Sequence, residues 1–374
     1  MRAAFTSWIA GTILSAIPAT VSFSEPSWTV VSTPNRGTLA NGLNAVAAVS
    51  DSVAFAAGHY YEDSAASYRT MVQHWDGRAW RIVDSPSLGR GYNDLYAVAA
   101  TSAVNAWAVG YWRPTNDTDY RPLVLHWDGA AWRSQSLPIT QPGQLLGVAA
   151  AAPNDVWAVG SFTDAGGARA LALHWDGGRW TRVNVPGPAG ARYAILNGVS
   201  ASPSGDVWAV GNAYVDGRYV TLTAHWDGAR WTIVPSPNAG TKANRLRAVA
   251  ASTSSEAWAV GDAVGVGGVI LRWDGSTWQI DAHVRNATGS TTLYGVVTPG
   301  PGEAWVVGYA RGGGAIRATA QWWSGAGWNA LTMPAPSPST VVLGAGLRDG
   351  LLWAVGLRNA RGTDRTLSLR ARIP

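Results

Sequence analysis

Short apolar stretches of small residues return along this chain at almost constant intervals. Each unit opens with a segment such as LYAVAA (95–100), LLGVAA (145–150) or LRAVAA (246–251). A polar turn such as APND (152–155) or SPSGD (202–206) follows, and then a pentapeptide of the form VWAVG (207–211). The glycines closing the pentapeptide are Gly58, Gly110, Gly160, Gly211, Gly261, Gly308 and Gly356, at steps of 52, 50, 51, 50, 47 and 48 residues. Its second position is Trp107, Trp157, Trp208, Trp258, Trp305 and Trp353 in six copies and Phe55 in the first. A third apolar segment ends in HWDG (74–77, 126–129, 174–177 and 225–228), RWDG (272–275) or WWSG (322–325). Three residues past that glycine, another tryptophan opens a fourth, more polar segment such as WTRVNVP (180–186).

These segments, A to D, read as four β-strands. A and B are nearly continuous apolar runs, the pattern of strands covered on both faces. D carries polar residues and commonly ends at Pro, which suits an outer edge that must not recruit other chains. The Asp-Gly pairs built on Asp76, Asp128, Asp176, Asp227 and Asp274 read as turn formers, since Asp bonds the nearby backbone and Gly tolerates positive φ. Four antiparallel strands per unit of about 50 residues, repeated radially, predict an all-β propeller, here with seven blades. The last unit supplies only A, B and C before the chain stops, whereas SWTVVSTP (27–34) matches the D segment RWTIVPSP (230–237). The N-terminal segment is therefore expected to complete the last blade and close the ring. Of the 22 Trp, all but Trp8, Trp112 and Trp322 fall at repeat positions in B, at the end of C or at the start of D. Regular indole layers are the expected core between blades.

The element WAVG, a strand, and then RWDGSTW (272–278) resembles bacterial repeats related to Asp-box and photosystem-assembly-factor propellers. In general layout the chain is also similar to kelch-type and galactose-oxidase-like central domains. The Asp-Trp spacing is one residue shorter than in a true Asp box, and the Gly-His element of WD repeats is missing. What the resemblance implies is a scaffold, since propellers host many unrelated functions.

Composition narrows the context. There is no Cys among 374 residues, and the net charge of +5 is spread without a basic run. A nucleic-acid surface would cluster Lys and Arg on one stripe, so no nucleic-acid partner is expected. Residues 1–24, one early Arg followed by an apolar run and small residues, have the layout of a secretory signal peptide. The reading is a leader (1–24), a single propeller domain (25–374), an extracellular or periplasmic location, no membrane association after cleavage, and a monomer.

Catalytic signals are thin. His74, His126, His174 and His225 share one repeat position on C, too far from the axis for neighbouring blades to share a metal ion. No cofactor motif, nucleophile elbow or phosphate loop is present, and no carboxylate pair stands out. Turn length and composition vary mainly on the rim formed by the B–C and D–A connections, and function concentrates on variable loops held by a rigid scaffold. The B–C loops 59–69, 111–122, 161–167 and 212–219 offer Tyr60, Tyr61, Tyr111, Trp112, Arg113, Asp117, Asp119, Phe162, Tyr214 and Tyr219, and the equivalent stretch after Gly308 offers Tyr309 and Arg311. Exposed aromatics among Asp and Arg suit stacking on sugars or gripping a peptide. The expectation is a non-catalytic recognition protein for a glycan or a protein. An extracellular carbohydrate-active enzyme working around the axis and a structural or matrix module stay open as alternatives.

Overall fold

A computed structural model describes residues 25–115, 119–202, 205–285 and 289–373. The leader assigned to 1–24 and the candidate Asp117 lie outside the described residues. The chain forms seven sheets of four antiparallel strands, arranged in a ring about one axis. The innermost strands are Asn41–Ser50, Asn93–Ser102, Gly143–Ala152, Tyr193–Ala201, Asn244–Thr253, Gly289–Val297 and Thr340–Arg348. They are rich in Ala, Gly and Val because adjacent inner strands crowd together near the axis. A Cβ on Gly344 would stand 2.8 Å from the Ala45 Cα, and one on Gly147 3.0 Å from the Gly198 Cα.

The last blade is a composite, with spatial order Thr29–Val30, Thr363–Arg372, Leu351–Ala360 and Thr340–Arg348. Thr29 pairs with Arg370 and Val30 with Leu369. Beyond that short ladder, the Val31 amide donates to Ser368 O at 2.9 Å, and the Thr366 hydroxyl donates to Pro34 O at 3.2 Å. The ring is thus closed without a covalent link.

Indoles fill the gaps between blades. The B-strand ring of one blade receives two tryptophans from the next: Trp107 meets Trp175 and Trp180, and Trp208 meets Trp273 and Trp278, at centroid distances of 4.9–5.4 Å. Trp353 of the last blade meets Trp75 and Trp80 of the first in the same way. Each triad includes a nearly perpendicular pair, the edge-to-face geometry that the aromatic quadrupole favours. The B-strand indoles are at most 2% exposed.

The turns between C and D repeat one device. Asp76 Oδ1 accepts from the Arg78 and Ala79 amides at 2.9 and 2.8 Å, and Asp274 Oδ1 accepts from the Ser276 and Thr277 amides at 2.8 Å each. Asp128, Asp176 and Asp227 do the same. These amide bonds, joined at Asp128 by the still larger effect of the Arg133 guanidinium, hold all five carboxyls below the usual carboxylate range. The four histidines on C each stack on the B-strand ring of their own blade, at 4.0–4.6 Å from Phe55, Trp107, Trp157 or Trp208.

Candidate functional site

Around the axial channel the otherwise uniform inner strands differ from blade to blade. In every blade the pairing of inner strand and B strand slips by one residue just after the Leu (Val in the last blade) that begins segment A. The residues skipped by these bulges are Asn44, Tyr96, Leu146, Asn197, Arg247, Tyr294 and Leu343. A bulge re-aims its side chain, and all seven line an axial cavity of about 430 Å³. The glycine of the pentapeptide stands across from this point. A Cβ on Gly211 would run into Ile195 O, and one on Gly110 into Asp94 O, so only glycine lets the bulged strand approach. Inner strands run away from the D–A connections, so the seven side chains lie toward the B–C/D–A rim.

Around this mouth two polar-aromatic groups face each other. On the first two blades Asp94, 2% exposed, accepts from Asn44 Nδ2 at 2.9 Å and lies 2.9 Å from His59 Nδ1. Burial alone would lower the pKa of His59, but the charge and hydrogen bond of Asp94, with Asp364 from the last blade, raise it. Beside this pair runs a chain of tyrosines: Tyr68 on Tyr92 at 4.7 Å, Tyr92 on Tyr111 at 5.8 Å, and Tyr111 against Tyr96 at 5.5 Å and Tyr120 at 4.5 Å. Burial, helped by Asp94, pushes the Tyr96 hydroxyl up to about 12. Arg113 stacks on Tyr120 at 3.9 Å.

On the fifth and sixth blades Arg247 donates from Nε to Asp262 Oδ1 at 2.7 Å and lies over the Tyr294 ring at 4.4 Å. Tyr294 in turn stacks on Tyr309 at 5.6 Å, and burial pushes its hydroxyl up to about 12. Arg245 lies over Tyr219 at 5.3 Å, and Tyr219 meets Tyr214 at 5.1 Å. The arrangement offers ring faces, hydroxyls and one held guanidinium around an apolar floor.

The residues picked from the sequence are placed differently from the expected loops. Outside the second blade, strands B and C run on into tight hairpins, and Tyr60, Tyr61, Tyr111, Trp112, Phe162, Tyr214, Tyr219, Tyr309 and Arg311 all belong to strands. Asp216-Gly217, both at positive φ, leave only two residues for one such turn. The reason is that Tyr, Val and Thr in alternation favour continued pairing over a loop. Tyr111 and Phe162 are buried, at 7% and 6% exposure, and the expected surface position is corrected for both. Phe162 lies under Arg182, with the guanidinium 3.8 Å from the ring centroid. Tyr60 sits under Arg36 at 5.4 Å, and Asp119 is exposed in the long connection of the second blade. Tyr61, Tyr111 and Arg113 join the first group, while Tyr214, Tyr219, Tyr309 and Arg311 join the second. Trp112 packs instead on the apolar cluster between the first two blades.

No protein-family model and no curated protein matches this chain. Among solved structures it is similar to YCF48 bound to D1 peptide, at 14% identity and a TM-score of 0.54, covering 95% of this chain and 97% of that one. It is also similar to the WD40 β-propeller domain of Doa1, at 12% identity and a TM-score of 0.58, covering 92% and 96%. These likenesses belong to the fold.

The bulge ring and the His59–Asp94 pair are absent from the sequence-based candidates. The signal was there in the repeats. Aligning LNAVAA, LYAVAA, LLGVAA, LNGVSA, LRAVAA, LYGVVT and VLGAGL leaves the second position as the one that changes in charge, size and polarity.

Proposed function

We propose that this protein is an exported, non-catalytic recognition propeller that grips a segment of a protein partner at the B–C/D–A mouth of its axial channel. The observation that carries the reading is the bulge ring. A scaffold repeated seven times places two Asn, two Tyr, two Leu and one Arg at one equivalent position, lining one cavity. Structural need would favour sameness there, as it does at the neighbouring small residues. Tyr faces and hydroxyls, a held Arg247 and the amide oxygens of Asn44 and Asn197, whose Nδ2 groups already donate within the protein, suit an extended peptide, whose backbone and side chains need polar partners and apolar contact. The peptide carried by YCF48 supports a protein ligand as the first one to test.

A glycan is the second reading, favoured by Tyr96, which is 37% exposed at the mouth and offers its ring for stacking. Purified protein should be applied to peptide and glycan arrays beside its Tyr96→Ala and Arg247→Ala variants. Peptide hits weakened by either substitution support the proposal. Hits confined to the glycan array replace the ligand class, and hits unchanged in both variants remove the channel mouth as the site. Export through residues 1–24 is tested by N-terminal sequencing of protein recovered outside the cytoplasm.

A further inference from the structure

A second cavity, about 330 Å³, opens at the seam where the ring closes, toward the opposite rim. It is lined by Ser27 and Thr29 of the closing strand, Arg370 and Arg372 of the C-terminal strand, and Asp51 from the first blade. Its chemistry follows from how the last blade departs from the repeat. In each blade the residue on C facing the B-strand ring is stacked on that ring or packed beside it. Where this residue is basic, the first position of B commonly gives it a partner. His174 lies 2.8 Å from Asp155, His225 2.9 Å from Asp206, and Arg272 donates to Glu256 at 2.8 Å. In the last blade the C-strand residue is Arg370, paired across the ladder with Trp353, and the partner position holds Leu351.

Arg370 is therefore a guanidinium without its acid. Its carbon lies 5.4 Å from the Trp75 ring centroid and 5.6 Å from that of Trp353. Among the described residues no side-chain hydrogen bond or ion pair reaches it. Asp51 does not supply the missing charge, because it is paired with Arg372. Thr29 stands directly across the ladder from Arg370, so its hydroxyl shares the same side of the sheet.

The geometry points to an oxyanion-binding site at this seam, with Arg370 as the anchor and the Ser27 and Thr29 hydroxyls as additional donors. The ligand class is a compact molecule bearing a carboxylate or a phosphate group. Two indole rings flank the guanidinium carbon at 5.4 and 5.6 Å and accept no hydrogen bond from it, so its N–H groups stay available for the bidentate pairing that such groups accept. The site is independent of the channel mouth and of whatever that mouth binds. Occupation would tie the closing strand to the C-terminal strand, and a ligand that binds only the closed ring stabilises it.

The test is calorimetric titration of the purified full chain with inorganic phosphate and, separately, with succinate at low ionic strength. Two variants accompany it. Arg370→Gln removes the anchor, and Leu351→Glu installs the acid that Arg272 already has in the fifth blade, so that the protein itself occupies the guanidinium. Thermal melts verify that both variants fold. The expected result is saturable binding of at least one probe, weakened roughly tenfold or more in both variants. Phosphate alone or succinate alone would name the group recognised. No saturable binding of either probe to the wild type, or equal affinity in the wild type and Arg370→Gln, would overturn the proposal.

Discussion

Deleting residues 26–34 should weaken the entire ring rather than fray one end. The segment contributes the Val31–Ser368 bond, and the Thr366 hydroxyl bonds to Pro34 O and Thr33. Gln73 of the first blade also donates to Pro34 O at 2.9 Å. Four such bonds at about 1 kcal/mol net each amount to about 4 kcal/mol. Half-buried Trp28 packs against the cluster containing Trp305 and Leu369 and adds about 1–2 kcal/mol. The total, about 5–6 kcal/mol, is a large share of the 5–15 kcal/mol typical of a folded protein. Unfolding entropy of about 2.1 cal/mol/K per residue converts this, for a chain of this length, into a fall in Tm of about 7 °C. The assay is thermal unfolding followed by tryptophan fluorescence, with amide exchange measured on the same samples. Faster exchange should extend into the inner strands Asn41–Ser50 and Gly289–Val297, which flank the last blade. A truncated protein melting within about a degree of the full-length chain would refute closure by this strand.

Gly211→Ala should cost about 2–3 kcal/mol, because its Cβ meets Ile195 O where the inner strand bulges. Gly187→Ala, with open space around the new Cβ, should cost nothing measurable. A urea midpoint equally unaffected by both would discard the bulge argument. The His59–Asp94 pair predicts a pH dependence with a definite sign. The folded pKa of His59 is raised, so its contribution is full below the unfolded value of about 6.5 and is lost as pH rises through the folded value. His74 and His126 are shifted the other way by burial and oppose it. The stability advantage of the wild type over Asp94→Asn isolates the pair, and it should shrink from pH 5 toward alkaline pH. An advantage that grows over that range would contradict the assignment.

Much of the architecture was legible before any coordinates. Seven pentapeptides at even steps, Asp-Gly turns and an orphan D segment at the N-terminus suffice to specify seven blades and their closure. Each of those signals is local: a turn needs its own residues, and strand burial on both faces shows as an unbroken apolar run. The candidate site was legible only in outline. Alternation in 59–69 and 212–219 reads in the sequence as loop composition, since polar and aromatic residues on an extended hairpin look the same along the chain as those on a loop.

The sequence by itself determined the repeat, the strand order and the positions of the indole layers, because those depend on spacing and on neighbours a few residues away. Tertiary structure alone decided which side chains meet. Asn44 reaches Asp94, 50 residues on, because successive blades pack side by side, and Arg370 reaches Trp75 as well as Trp353 because ring closure brings together blades from opposite ends of the chain. A one-residue bulge turns seven side chains toward the axis, and no periodicity along a single strand records that rotation. Convergence on an axis is a property of the closed ring, and a linear pattern contains it only once the blades are laid side by side.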